Sequence, residues 1–360
     1  MSSKILVKTE RFGIKYQADW ATPGVAGEAF KLCPWINSGT PNPNPDVQVE
    51  QFNVTSQSGI HHEAERFFID ATSGLPTIPF SGTCEKATMA AFLVGAFQGV
   101  TEAAGTPYLK TITCGGLTAP IDFKTVGKYL FTIAVDQGGS ADDGVILDNA
   151  IIQNLNIVWD LNAKGIARLV NMSGAWVGNK LTYEQDLSSG TPWANLTPIQ
   201  TGFFNNTDLW GVTDTTARFL VDAVDYSAEC IRKVEYQINN NVTSNCKTTG
   251  GKADQYDITP EYKTIITLDY NATTEKILKD FTTGSEVGFI WGNDSAGART
   301  DGKWAFKSTV NSAVHNGRLM SPPKQYNGDF IGIQLDVRWY SQLAGTPLTV
   351  YYVDTVDWTF

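Results

Sequence analysis

Along this chain apolar and polar residues alternate in short runs, the period-two signature of half-buried β-strands. The clearest runs are VQVEQFNV (47–54) and CIRKVEYQINNNV (230–242). Each leads into a polar stretch, 55–65 and 243–253, predicted as a long loop, the second carrying Gly250-Gly251. A return strand rich in Thr, Ile and aromatics follows each loop, and then the period changes. Met89, Phe92, Leu93, Ala96 and Phe97 fall at i, i+3, i+4, i+7 and i+8, the apolar stripe of an amphipathic helix. Ile277, Leu278 and Phe281 give a shorter stripe in the corresponding place. Thr83 and Thr273 are positioned to cap these helices, with Glu85 and Glu275 in first turns, where a carboxylate suits the helix dipole. Strand patterns then resume: YLFTIAV, AIIQNLNIVW and ARLVNMSGAWVG after the first helix, EVGFIWG, KWAFKSTV and FIGIQLDVRWY after the second. The predicted class is mainly β with few helices, a β-sandwich or barrel with one helix per repeat.

The order of these signals predicts a duplication. NVTS occurs at 53–56 and again at 241–244. Downstream, LPTIPFSGTCEK (75–86) and IITLDYNATTEK (265–276) share an alternating Thr-containing strand, a polar break and Thr-x-Glu-Lys. Further on, GKYLF (127–131) meets GKWAF (302–306). One shared tetrapeptide is weak, but three matches in one order predict a tandem repeat. The expected layout is an N-terminal strand and arm (1–46), a first domain (47–178), a linker with a leading strand (179–228), a second domain (229–341) and a C-terminal arm (342–360). The first arm contains PNPNP, which a sheet interior excludes because proline lacks an N–H. The last carries LTVYYVDTVDWTF, an apolar tail expected to pack on its own chain or a neighbour.

Composition narrows the function classes. The chain has 360 residues and a formal net charge of −10, so it lacks the basic footprint of a nucleic-acid binder. MSSKILVKTERFGIKYQ lacks the apolar core of a secretory leader, and no run reaches the length of a membrane span. The 5 cysteines are scattered without a C-x-x-C pair and are expected to be reduced. The two sequons are therefore read as incidental.

Candidate chemistry is sparse. His61, His62, Glu63 and Glu65 form the most metal-like cluster, but adjacent strand histidines point to opposite faces and HHEAE is not H-E-x-x-H. His315 is the one remaining base for a triad. The run from Asp136 to Asp143 lacks calcium-loop spacing and reads as a solvated hairpin. Neither a P-loop nor G-x-S-x-G occurs. The Trp and Tyr residues sit mostly in strand patterns and read as core. An enzyme is not expected, and neither is a cofactor.

The segments SGLPTIPFSG, AAFLVGAFQGVTEAAGTPYLK, KVEYQINNNVT and ITLDYNATTEKILKDFTTGSE, in this order, resemble the tail tube (major tail) proteins of long-tailed bacteriophages. The resemblance spans about residues 45 to 340. It implies domains whose inner strands close side by side into one large β-barrel channel, with tandem-domain members forming trimers of pseudo-sixfold symmetry. Such rings stack into a tube that conducts DNA without binding it specifically. The implied partners are further copies of the chain, a tape-measure protein and tail tip and terminator proteins, in a virion assembled in the host cytoplasm; membrane binding is not implied. On this reading the polar loops carry ring-to-ring contacts: Ser56, Ser58, His61, His62 and Glu63 in the first copy, Lys247, Thr248, Lys252 and Asp254 in the second. Tyr351, Tyr352 and Trp358 of the tail would hold neighbouring subunits. The alternative is a carbohydrate-binding or adhesin-like β module, or another virion decoration protein.

Overall fold

The computed structural model describes the chain outside residues 1–9, 18–21, 25–27, 43–48, 52–53, 56–60, 63–66, 70–74, 84–85, 104, 106–107, 114–120, 123–128, 139–142, 164–169, 188–192, 196–218, 248–252, 293–303, 308, 312–313, 316, 328–330, 341–347 and 355–360. Its first half begins with β1 (Arg11–Gln17), β2 (Phe30–Leu32) and β3 (Ile36–Ser38). Next come β4 (Val49–Gln51), β5 (Val54–Thr55), β6 (His61–His62) and β7 (Phe67–Ile69), then β8 (Thr77–Thr83) and helix α1 (Lys86–Phe97). After the helix run β9 (Val100–Ala103), β10 (Tyr108–Thr113), β11 (Ile121–Asp122), β12 (Leu130–Asp136) and the long β13 (Gly144–Asp160). β14 (Asn171–Val177), β15 (Lys180–Gln185) and β16 (Trp193–Asn195) complete this half.

The second half holds β17 (Phe219–Val221), β18 (Val224–Asp225), β19 (Ile231–Asn239), β20 (Thr243–Lys247), β21 (Ala253–Asp257) and β22 (Glu261–Asp269). A one-turn helix, α2 (Glu275–Lys279), precedes β23 (Glu286–Gly292), β24 (Trp304–Lys307), β25 (Thr309–Asn311) and β26 (Val314–His315). β27 (Gly317–Leu319), β28 (Lys324–Asn327), β29 (Ile331–Trp339) and β30 (Thr349–Asp354) follow. The protein is mainly β, as its alternating pattern predicts.

One antiparallel run of eight strands organises the molecule, in the order β3–β8–β14–β13–β19–β22–β29–β28. Its inner face is apolar: Ile78, Phe80, Met172, Leu155, Ile157, Val234, Tyr236, Ile266, Leu335 and Val337 are all buried. Two further strips continue from the run and cover that face. β13 carries its N-terminal part into β12, β1, β2 and β16; β29 leads through β27 to β23, β17 and β18. β23, β24, β30, β10 and β9 then join the two halves.

β13 is long enough to serve both halves. Near its start Leu147 and Ile152 pack in the first half, whereas Trp159 at its end stacks on Trp304 at 5.9 Å and meets Trp291 and Phe306 edge-on. Helix α1 lies inside. Every residue from Thr88 to Gln98 is buried, so the expected single stripe is a helix buried on all sides. Phe92 contacts Phe80, Phe12 and Trp176, and Phe97 meets Tyr262 of the second half edge-on at 5.5 Å. The helix ends at Gln98, whose φ is 58°. Its side chain donates to the carbonyls of Gly95 and Tyr129 and accepts from the Tyr129 N–H, closing the terminus.

Several expectations change here. Thr83 is a strand residue paired with Asn171, so it does not cap α1; Glu85 lies outside the described residues. Thr273 does not cap α2: the N-cap position is Thr274, without a side-chain cap bond, and the turn before it is closed by Asn271, whose Oδ1 accepts the N–H groups of Thr273 and Thr274 at 2.8 and 2.9 Å. Within and around the stretches expected as polar loops, the described residues pair as strands: β4 pairs β7 and β5 pairs β6, while β20 pairs β21. GKYLF and GKWAF do not match in position, because β12 lies between β1 and β13 whereas β24 lies between β23 and β30. β15, expected within the linker, pairs with β13 and belongs to the first half.

Candidate functional site: a polar sheet face and its edges

The eight-strand run turns its other face outward, and its residues come from the polar letters at alternate strand positions. The pairing registers align them in rows. One row reads Asn37, Ser81, Ser173, Asn156, Gln237, Lys263 and Arg338 across β3 to β29. The next reads Thr83, Asn171, Val158, Glu235, Ile265 and Asp336. The first four strands therefore present small neutral groups almost throughout. Charge begins at the end of β13, where Asp160 lies opposite Lys233 of β19.

The charges of the second half come as pairs. Arg232 donates from Nε and Nη2 to both carboxylate oxygens of Asp269, at 2.5 Å each, and this holds the Asp269 carboxyl below the usual carboxylate range. Lys233 meets Glu235 at 3.0 Å and Lys263 meets Asp336 at 3.1 Å. Burial opposes the Glu235 charge most strongly, but hydrogen bonds from Gln237, Lys233 and Asn156 together outweigh it, and its carboxyl also lies below the usual range.

The edges of the run differ. β13 is flanked on one side by β14 and β15; on the other, its N-terminal part pairs β12 and its C-terminal part pairs β19. In the second half, β27 and β28 lie in line along β29, and β27 pairs β23 on its far side. No partner beyond β29 is present for β28 among the described residues. Among the described residues no strand takes, beside β28, the position that β19 fills beside β13. At the other end, β3 pairs β8, and its Ser38 N–H and hydroxyl both donate to Glu10 Oε1 at 2.6 Å. Beside this edge a concavity of about 500 Å³ is lined by Trp35, Asn37, Ser81, Thr83, Asn171 and Ser173, with Trp35 49% exposed.

Two hairpin arms lie in the chain between strands of the run, the paired β4–β7 and β5–β6 between β3 and β8, and β20–β21 between β19 and β22. The second is anchored: β21 pairs β11 as well as β20, and the buried Tyr256 donates its hydroxyl to the Asn149 carbonyl at 3.1 Å. Burial pushes the Tyr256 phenol far above its ordinary pKa. Of the expected ring-contact residues, His61 and His62 lie on β6, Lys247 on β20 and Asp254 on β21. Ser56, Ser58, Glu63, Thr248 and Lys252 lie outside the described residues, as does Trp358. Tyr351 and Tyr352 sit on β30, which pairs β10 on one side and β24 on the other, so this stretch of the tail is an internal strand of its own chain and not a free arm. Met89, Phe92, Leu93 and Phe97 are fully buried in α1; Ile277 is buried and Leu278 and Phe281 pack on the same core. Among the described residues no group of three or more His, Cys, Asp or Glu side chains is placed to hold a metal.

The polar face and its edges were missed in the sequence, although the outward letters of each strand were visible. Their alignment into rows depends on strand order. No family model matches the chain, and no curated protein matches it.

Proposed function

We propose that the chain is a structural virion protein that polymerises through its sheet edges into stacked rings forming a bacteriophage tail tube. The chain is a tandem pair on this reading, and its polar face lines a conduit for DNA ejection. The observation that carries it is the flank of β28 away from β29, which no strand pairs among the described residues. In the first half the equivalent flank of β13 is taken by β19, the first long strand of the second half. β28 of one copy would take β3 of the next in the same antiparallel sense, so the seam between chains repeats the seam within the chain.

The duplication draws support from pairing order. β8 precedes α1 and lies between β3 and β14; β22 precedes α2 and lies between β19 and β29. β12 lies between β1 and β13, and β23 between β17 and β27. Closing the run removes exposed edges, which otherwise invite aggregation. With strands about 4.8 Å apart and tilted about 40°, twenty-four strands from three copies enclose a ring roughly 50 Å across at the backbone. Heterologous stacking of rings gives an open filament, and on this reading the hairpin arms join one ring to the next.

Electron microscopy of the concentrated protein tests this. Rings or hollow tubes with three chains per ring are expected, and Gln325→Pro, which disrupts β28, should leave a folded protein without them. Six chains per ring would overturn the tandem arrangement. The Trp35 concavity favours a second reading, a glycan-binding module, because an exposed indole beside hydroxyl and amide groups suits a sugar face. A discrete small oligomer that binds glycans, and loses them in Trp35→Ala, would establish that reading instead.

A further inference from the structure

On the outward face Lys263 lies directly opposite Arg338, and Arg338 directly opposite Arg318. Three cations thus stand in line on adjacent strands, about 5 Å apart from strand to strand. Like charges directly opposed in a sheet repel, so this row needs a compensating arrangement. Each cation has one. Lys263 turns to Asp336 at 3.1 Å, Arg338 to Glu261 at 4.0 Å, and Arg318 to Glu286 at 3.0 Å. Glu286 is the strand partner of Arg318, while Asp336 and Glu261 lie diagonally from the cations they meet.

A bare row of this kind is a phosphate-binding stripe, because each phosphate contact by Lys or Arg releases a counterion. Paired with a carboxylate, each cation would have to break its ion pair before meeting a phosphate. We propose that the Lys263–Arg338–Arg318 row is a masked polyanion stripe. It presents cations to passing double-stranded DNA as ion pairs, so that the duplex is neither strongly repelled nor held. This rests on the conduit reading and adds the means by which a wall containing a cation row stays non-adhesive. The neighbouring neutral stripe from Asn37 to Gln237 serves the same end without charge.

The test is gel retardation of a short DNA duplex by the full-length protein carrying Glu261→Gln, Asp336→Asn and Glu286→Gln. The comparison variant has the same net charge through Asp225→Asn, Asp257→Asn and Asp280→Asn, away from the row. The wild type and the comparison variant should leave the duplex unshifted at 50 mM salt. The unmasked variant should retard it, and its affinity should fall about 40-fold between 50 and 200 mM salt, as three phosphate contacts require. Adding Lys263→Gln, Arg338→Gln and Arg318→Gln to the unmasked variant should abolish retardation. Glu261→Gln alone, at a half-exposed pair, provides a milder variant should the triple one misfold, and should give a weaker shift in the same direction. Equal retardation by the unmasked and comparison variants, or by wild type and unmasked protein, overturns the proposal. The same samples are viewed by electron microscopy. Unmasking without rings or tubes would sink the conduit reading, whereas tubes without unmasking would sink the masked stripe alone.

Discussion

The helices α1 and α2 occupy the same step of the two halves, each following the second strand of its sheet, yet they differ in almost every physical respect. α1 spans 12 residues and is enclosed on all sides; α2 spans 5 and presents a single buried residue, Ile277. The difference shows where the core lies. α1 touches both halves, through Phe97 on Tyr262 and through Asn240, whose side chain donates to the Ala96 and Ile152 carbonyls at 2.9 and 2.8 Å. The second half borrows that helix and supplies a short turn of its own. The two halves thus share one interior in place of two equal ones.

The sharpest way to break this comparison is to truncate each helix. Phe92→Ala should cost about 3–5 kcal/mol and Ile277→Ala about 2 kcal/mol, the low end for a buried isoleucine, in urea unfolding. Equal losses would mean that α1 is not the shared core. Next, Asn240→Ala should cost about 2–3 kcal/mol, because two buried carbonyls lose their donors. If it also splits one cooperative transition into two, Asn240 is a tie between the halves and not merely a local turn residue.

A smaller effect is expected at the anchored hairpin. Tyr256→Phe should cost about 1 kcal/mol through the lost bond to Asn149, and hydrogen exchange should rise in β20 and β21 before it rises in β19. Unchanged exchange would show that β11 alone holds the arm. The smallest effect concerns charge, which the outward face of the second half carries and that of the first largely lacks. Glu235 and Asp269 have carboxyls held below their unfolded values, so their stabilisation is complete above the unfolded pKa, near 4, and is lost as pH falls through the lower folded values. For partly exposed pairs this amounts to less than about 1 kcal/mol. A Glu235→Gln/Asp269→Asn protein should show a flatter stability curve below pH 4, and an unchanged slope would place the acid sensitivity elsewhere.

Much of the fold was legible in the sequence. In β19 and β29 the alternation of Val234, Tyr236 and Ile238, and of Ile333, Leu335 and Val337, with polar residues marks strands with one buried face, because successive side chains point to opposite sides. The apolar letters from Met89 to Phe97 mark a helix, since four-residue spacing brings them to one side. Local chemistry was harder to assign. Asn271, not Thr273, supplies the side-chain acceptor before α2, because its carboxamide reaches two backbone N–H groups in the incoming turn. The candidate face was less legible still: Asn37, Ser81 and Ser173 look like ordinary exposed letters until β3, β8 and β14 are set side by side.

By itself, then, the sequence determined which residues alternate, which segment turns helical and that the chain is mainly β; these follow from periods of two and 3.6 residues written locally. Tertiary structure alone decided which strands are neighbours. It set β30 between β10 and β24, left β28 without a second partner among the described residues where β13 has one, and aligned Lys263, Arg338 and Arg318 into one row. The physical reason is that backbone hydrogen bonds between strands are alike whatever the side chains. Partner and register are therefore chosen by the packing of the whole buried face, where Trp159, Trp304 and Phe92 must all find room at once.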